Sequence, residues 1–167
     1  MRRRNPCILS CVALLTCAVI NLTGAAEPDP LTKKVLDAYG KDHGLCAIIG
    51  LKGPKALQLA KDLASSGKFL VHGVVSDEND LKIARKAIKD AKLDGFCAVE
   101  KLNLNPLPYR DNLVNLIVVA DPTAAKSSGF KQDEAMRALA PMGKLCVISG
   151  SNVTATEKPV PPGMDQW

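Results

Sequence analysis

The sequence predicts an α/β fold, an open and mostly parallel sheet of five or six strands with helices on both faces, and three observations carry that expectation. Short apolar runs alternate with amphipathic helical patterns from residue 31 to residue 149. The runs are apolar at successive positions, as in Leu45-Cys46-Ala47-Ile48-Ile49 and Leu116-Ile117-Val118-Val119, which is how a strand reads when both of its faces are covered. Helix punctuation falls between the runs, with Pro54 at a first helical turn and Gly40 and Gly67 at helix ends. Strand and helix repeated at short intervals build right-handed crossovers, and the outcome is a Rossmann-like doubly wound sheet.

Each element has its own signal. Leu31 to Tyr39 reads as a helix with Leu31, Val35, Leu36 and Tyr39 on one side, ended by Gly40. Leu45 to Ile49 is the first strand. Pro54 then opens a helix in which Ala56, Leu59, Ala60 and Leu63 recur at helical spacing. Phe69 to Val75 is the second strand, and Ser76 is the expected N-cap of the next helix, with Asp77 and Glu78 in its first turn. That helix lines up Ala84, Ala87, Ile88 and Ala91, while Lys82, Arg85, Lys86 and Lys89 form a solvated face. Phe96 to Glu100 and Leu113 to Val119 are the third and fourth strands. Asp121 to Gly129 reads as a loop beginning with an Asp-Pro turn, and Lys131 to Leu139 as a short helix. Pro141-Met142-Gly143 turns into a fifth strand, Leu145 to Ser149, and Val153 to Thr156 forms a short edge strand.

Ahead of this domain, residues 1–26 have the three-part order of a secretory signal peptide. Arg2, Arg3 and Arg4 are followed by an apolar stretch from Ile8 to Leu22 and by Gly24-Ala25-Ala26, where cleavage is expected. The apolar stretch is shorter than the roughly twenty residues of a spanning helix. The alternatives are an uncleaved anchor or lipoprotein processing at Leu14-Leu15-Thr16-Cys17, in which Thr16 is bulkier than the usual small residue. The expected division is therefore a signal peptide over 1–26, one domain over 27–157 and a tail or linker over 158–167 carrying Pro159, Pro161 and Pro162. Such a chain is secreted or periplasmic and keeps no stable membrane span after cleavage.

Composition narrows the function classes. The net charge of +5 includes the three leading arginines, and the remainder carries 19 basic against 17 acidic side chains. With 4% aromatic residues and no basic stripe, nucleic-acid binding is not expected. Beyond the leader only Cys46, Cys97 and Cys146 remain, an odd number, all inside apolar runs where cysteine acts as a small core residue. No Cys-x-x-Cys or Cys/His spacing suggests a metal site, and His43 and His72 stand apart from any ligand set.

Two segments go further. Leu107-Pro108-Tyr109-Arg110-Asp111-Asn112-Leu113-Val114-Asn115-Leu116-Ile117-Val118 resembles the LPF-x-DNSFD-x-VV stretch of class I S-adenosylmethionine-dependent methyltransferases of the type 11 kind. Glu134-Ala135-Met136-Arg137-Ala138-Leu139-Ala140-Pro141-Met142-Gly143-Lys144-Leu145 resembles their E-x-x-R-x-L-x-PGG-x-L segment, in the same order and spacing. The resemblance covers residues 30 to 150. A narrower likeness joins Gly44 to Gly50, Leu70-Val71-His72-Gly73, Asp111 to Leu116 and the closing Lys158-Pro159 to Asp165-Gln166-Trp167. These are similar to the N-terminal domain of secreted planctomycete-type proteins that continue into a propeller of the pyrroloquinoline-quinone-binding type.

The resemblance implies a site made at three strand ends. In the family an acidic residue and G-x-G-x-G follow the first strand, a carboxylate ending the second strand holds the ribose, and an acid after the third holds the adenine amine. Glycine lets the backbone approach the ligand closely, and a carboxylate accepts from paired hydroxyls. Here Ile48 takes the acidic place and the turn is Gly50-Leu51-Lys52-Gly53-Pro54. Val75 stands at the ribose position with Asp77 two residues later, and Asn103 stands at the adenine position. The candidate cofactor-binding residues are accordingly Gly50, Gly53, Asp77 and Asn103, with weak or lost S-adenosylmethionine binding expected and no catalytic residue identified. Asp77 has a second reading as a helix-opening acid. The implied function is a degenerate methyltransferase-like module with a structural role or an unknown small-molecule or protein partner. The alternative is an active methyltransferase acting on an unknown small molecule. A nicotinamide site fits less well, because the fuller G-x-G-x-x-G is absent.

Overall fold

The computed structural model describes residues 27–163, so the expected signal peptide and the last four residues, Trp167 among them, lie outside the described residues. The chain runs α1 (Pro30–Tyr39), β1 (Gly44–Ile49), α2 (Gly53–Ser65), β2 (Phe69–Val75), α3 (Glu78–Asp90), β3 (Cys97–Lys101), β4 (Val114–Val119), α4 (Pro122–Ser127), α5 (Gln132–Ala138), β5 (Leu139–Ser149) and β6 (Asn152–Glu157). The six strands form one sheet in the order β3-β2-β1-β4-β5-β6, parallel throughout except for β6, which is antiparallel to β5. This is the predicted doubly wound α/β architecture.

Strand alternation sends successive side chains into two cores, which is why the runs are apolar throughout. Cys46, Ile48, Leu116 and Val118 meet Val35, Leu59, Leu63 and Ile88 beneath α1, α2 and α3. Ala47, Ile49, Ile117 and Val119 meet Ala125, Ala135 and Ala138 beneath α4 and α5. Helix α1 starts as its sequence directs: Asp29 accepts from the Leu31 N–H at 2.9 Å, Pro30 takes the first turn, and Gly40 closes the helix at φ 74°.

Four local expectations need correction. The N-cap of α3 is Asp77, not Ser76, and it accepts from the N–H groups of Asn79 and Asp80. The segment read as a loop after β4 contains α4, capped by Asp121 on Thr123 and Ala124; six residues are too few for a periodic pattern to show. The helix expected to reach Leu139 stops at Ala138, and Leu139 already belongs to β5. Pro141-Met142-Gly143 therefore lies within β5, where the β4–β5 register shifts between Val114 and Leu116. Gly143 is required there by space, since a Cβ would fall 2.8 Å from the Ala140 carbonyl oxygen and 2.9 Å from that of Asn115.

The two segments that carry the family resemblance are joined by hydrogen bonds. Glu134 accepts from the Leu107 N–H at 3.0 Å, and Arg137 donates to the Tyr109 carbonyl at 2.9 Å, to the Leu107 carbonyl at 3.2 Å and to Asp111 at 2.6 Å. The Glu-x-x-Arg pair on α5 thus pins the Leu-Pro-Tyr stretch, using the forked geometry that suits arginine to several acceptors. Lys158 is part of the domain: its ammonium meets Asn112 Oδ1 and the carbonyls of Arg137 and Leu139.

Candidate functional site

The strand order reverses between β1 and β4, and in open α/β sheets the ligand crevice lies at the carboxyl ends of the strands flanking that reversal. The turn after β1 is folded back onto β2: the N–H groups of Gly50 and Leu51 both donate to the Val74 carbonyl, at 2.9 and 3.2 Å. Gly50 has φ 73°, a left-handed conformation that favours glycine. The space beyond it holds the backbone of Asp121, 3.7 Å from where a Cβ would stand. Leu51 points inward and is 1% exposed, and its Cδ2 lies 2.4 Å from the position of a Cβ on Gly73. Lys52 is extended, and its ammonium lies 3.7 Å from Asp80 on the first turn of α3. Gly53 has φ 75° with open space around it.

At the end of β2, Val75 is a core residue, 2% exposed. The three acids that follow each have a partner. Asp77 Oδ1 accepts both capping N–H groups, at 2.8 and 3.2 Å, and the bonds from Asp80 and Asn79 hold its carboxyl below the usual range. Glu78 faces Lys101 at 3.8 Å, and Asp80 faces Lys52. Lysines from the ends of β1 and β3 thus flank the same helix N-terminus.

Two clefts open at this end of the sheet. One, of about 660 Å³, is lined by Lys52, Gly53, Pro54, Asp121, Ser149 and Gly150 among others. A second, of about 450 Å³, is lined by Ser76, Lys101, Leu102, Asn103 and Ser128. Helix α4 runs between them, with Asp121, Pro122 and Thr123 at the first and Ser128 just past its other end, while Ala125 is buried beneath. Of the four candidate residues, Gly53 and Asn103 therefore line different clefts, Gly50 lies against the Asp121 backbone, and Asp77 sits at the α3 cap.

Sequence reasoning did not identify Ser76 and Ser128 as cleft residues, nor the lysine pairs across α3. The signal for α4 was present in Asp121-Pro122, a capping acid followed by a proline at the first helical position. A further contact had no spacing signal: His72 Nδ1 and the Tyr109 hydroxyl are 2.8 Å apart, which fastens the Leu-Pro-Tyr stretch to β2. Cys46, Cys97 and Cys146 are unpaired and buried, and burial pushes the thiols of Cys97 and Cys146 up to about 11. Among the described residues no cluster of three His, Cys, Asp or Glu side chains could hold a metal ion, and no helix is long and apolar enough to cross a membrane.

No protein-family model matches the chain, and no curated protein matches it. Solved structures do. The chain is similar to a Methanococcus maripaludis protein proposed to be an S-adenosyl-L-methionine-dependent methyltransferase, with 25% identity and a TM-score of 0.59 over 71% of this chain and 53% of that one. It is similar to a SAM-dependent methyltransferase from Aquifex aeolicus, with 22% identity and a TM-score of 0.53 over 70% and 62%. It is also similar to the 4+2 cyclase SpnF, with 20% identity and a TM-score of 0.60 over 70% and 43%. The chain thus has the Rossmann-like fold of class I methyltransferases and spans between 43% and 62% of the length of these structures.

Proposed function

We propose that this chain is an exported methyltransferase-like domain whose S-adenosylmethionine site is degenerate, and that it serves as a structural or partner-binding module. The observation that carries this reading is Val75. A buried valine ends β2 where the resemblance calls for the carboxylate that holds the ribose, and an apolar side chain accepts no hydrogen bond. The surrounding residues support the same reading. Ile48 is fully buried, Lys52 replaces a small residue and faces Asp80, and Asp77 is engaged in capping. The residues present at these strand ends do not fit the cofactor. Fold alone does not decide the chemistry, since SpnF with a similar fold is a cyclase.

Export rests on the composition of residues 1–26, and the propeller-protein likeness on residues outside and inside the described domain. Export agrees with a lost site, because S-adenosylmethionine is made in the cytosol. Calorimetry of the chain against S-adenosylmethionine and S-adenosylhomocysteine tests the central reading. No heat of binding at millimolar ligand is expected, and micromolar affinity would overturn it. N-terminal sequencing of the protein from an exporting host tests the cut after Ala26.

A second reading has one observation in its favour: Asn103 and Ser76 share a polar cleft at the β2 and β3 ends. An active enzyme using Gly50, Gly53, Asp77 and Asn103 would transfer labelled methyl groups to a small-molecule acceptor, and an Asn103→Ala variant would lose that transfer.

A further inference from the structure

The two edges of the sheet differ. On β3, the bonds from the Val71 N–H to the Phe96 carbonyl and from the Leu102 N–H to the Val75 carbonyl turn the even-numbered residues toward β2. The outward groups are those of Cys97, Val99 and Lys101, and two of them are already bonded. The Cys97 N–H donates to the Leu93 carbonyl at 2.9 Å, and Arg85 Nε donates to the Val99 carbonyl at 2.9 Å. Charged Glu100 and Lys101 complete the guard, as expected of a managed edge.

Strand β6 has fewer of these guards, its one charged residue being Glu157 at the end of the strand. The Lys158 N–H donates to the Gly143 carbonyl and the Lys158 carbonyl accepts from the Met142 N–H, so Met142 and Gly143 oppose Lys158 in a bulge and both backbone groups of Lys158 face β5. By the antiparallel alternation, Asn152, Thr154 and Thr156 bond to β5, while the N–H and C=O groups of Val153, Ala155 and Glu157 face outward. Among the described residues none of these outward groups has a partner. The strand pairs with β5 over six residues without a bulge and contains neither proline nor lysine.

We infer that β6 is a self-association edge and that its occupant is β6 of a second copy of this chain, antiparallel about a two-fold axis at Ala155. That register aligns the whole of β6 with its copy. Ala155 meets its own copy, a small residue where the chains are closest to the axis, and Val153 lies opposite Glu157 of the second copy. Thr154 lies opposite Thr156, a favourable cross-strand pair, and Asn152 opposite Lys158. No like charges face each other. The product is an isologous dimer with one continuous twelve-stranded sheet built from two copies of the six-stranded one.

The full chain, followed by sedimentation equilibrium over a range of concentrations, is expected to form a reversible dimer. Ala155→Pro should abolish the dimer and keep the fold, because the Ala155 N–H is not used by β5. Ala155→Asp sets two carboxylates across the axis and should weaken the dimer about tenfold or more. It decides the matter if the proline variant does not fold. Amide exchange at Val153, Ala155 and Glu157 should slow as concentration rises. A monomer at all concentrations, a dimer unaffected by Ala155→Asp, or protection at these amides that is independent of concentration would each overturn the inference.

Discussion

Replacing Leu51 by alanine tests whether the turn after β1 is a ligand-ready loop or a piece of the core. Leu51 is 1% exposed, and its Cδ2 fills the space that a Cβ on Gly73 would enter, 2.4 Å away. Removing a leucine side chain from such a site costs about 3 kcal/mol, from lost burial plus the residual cavity. With a urea slope of about 1.5 kcal/mol/M, the unfolding midpoint should fall by about 2 M. The converse change, Gly73→Ala, overpacks the same contact and should cost about 1–2 kcal/mol, since the leucine tip must move and Leu51 is itself fully packed. In the double variant the new methyl group occupies the vacated space, so the two costs should fall short of their sum by about 1 kcal/mol or more. Urea unfolding of the four proteins, followed by circular dichroism, measures the whole cycle. Additivity within about 0.5 kcal/mol would refute the packing argument.

Three other outcomes follow from the same contacts. Met142 adopts φ 59°, and Met142→Gly should raise the stability by up to about 1 kcal/mol in urea unfolding, whereas Gly143→Ala beside it should cost about 2–3 kcal/mol against two backbone oxygens. The Asp77 carboxyl is depressed below its ordinary 3.8 by its capping bonds, so its contribution to stability is present above that value and lost as pH falls through the lower folded one. Asp77→Asn should preserve the cap and flatten this part of the acid limb in urea midpoints taken at successively lower pH. Cys46, Cys97 and Cys146 should resist a thiol reagent at mildly alkaline pH and react in denaturant, as read by mass spectrometry of their peptides; rapid native labelling of Cys46 would contradict its full burial and the upward push that burial gives its thiol.

The sheet was legible in the sequence because its information is local. Runs such as Leu45 to Ile49 and Leu116 to Val119 announce strands covered on two sides, and proline and glycine mark the helices between them. Parts of the site were not, because they depend on which distant residues the fold brings together. Lys52 and Asp80 face each other only once β1 and β2 are paired, and His72 reaches Tyr109 only when the chain returns from β3. The Glu134–Arg137 clamp shows the middle case. The motif was visible as a likeness, but its purpose, holding Leu107 and Tyr109, required the contacts. Helix α4 was missed because six residues give less than two turns of period, and it separates two strand-end clefts.

The strand order has a consequence for biosynthesis. Strand β1 lies in the middle of the sheet, yet one of its two neighbours, β4, begins only at Val114. While the ribosome is still making the intervening segments, β1 can pair with β2 alone and leaves its other backbone edge open to any passing strand. Distant parallel pairing of this kind is slow, and nascent chains caught in that interval aggregate readily. A holding chaperone acting before residue 119 emerges should therefore improve the yield of this protein more than one acting after release.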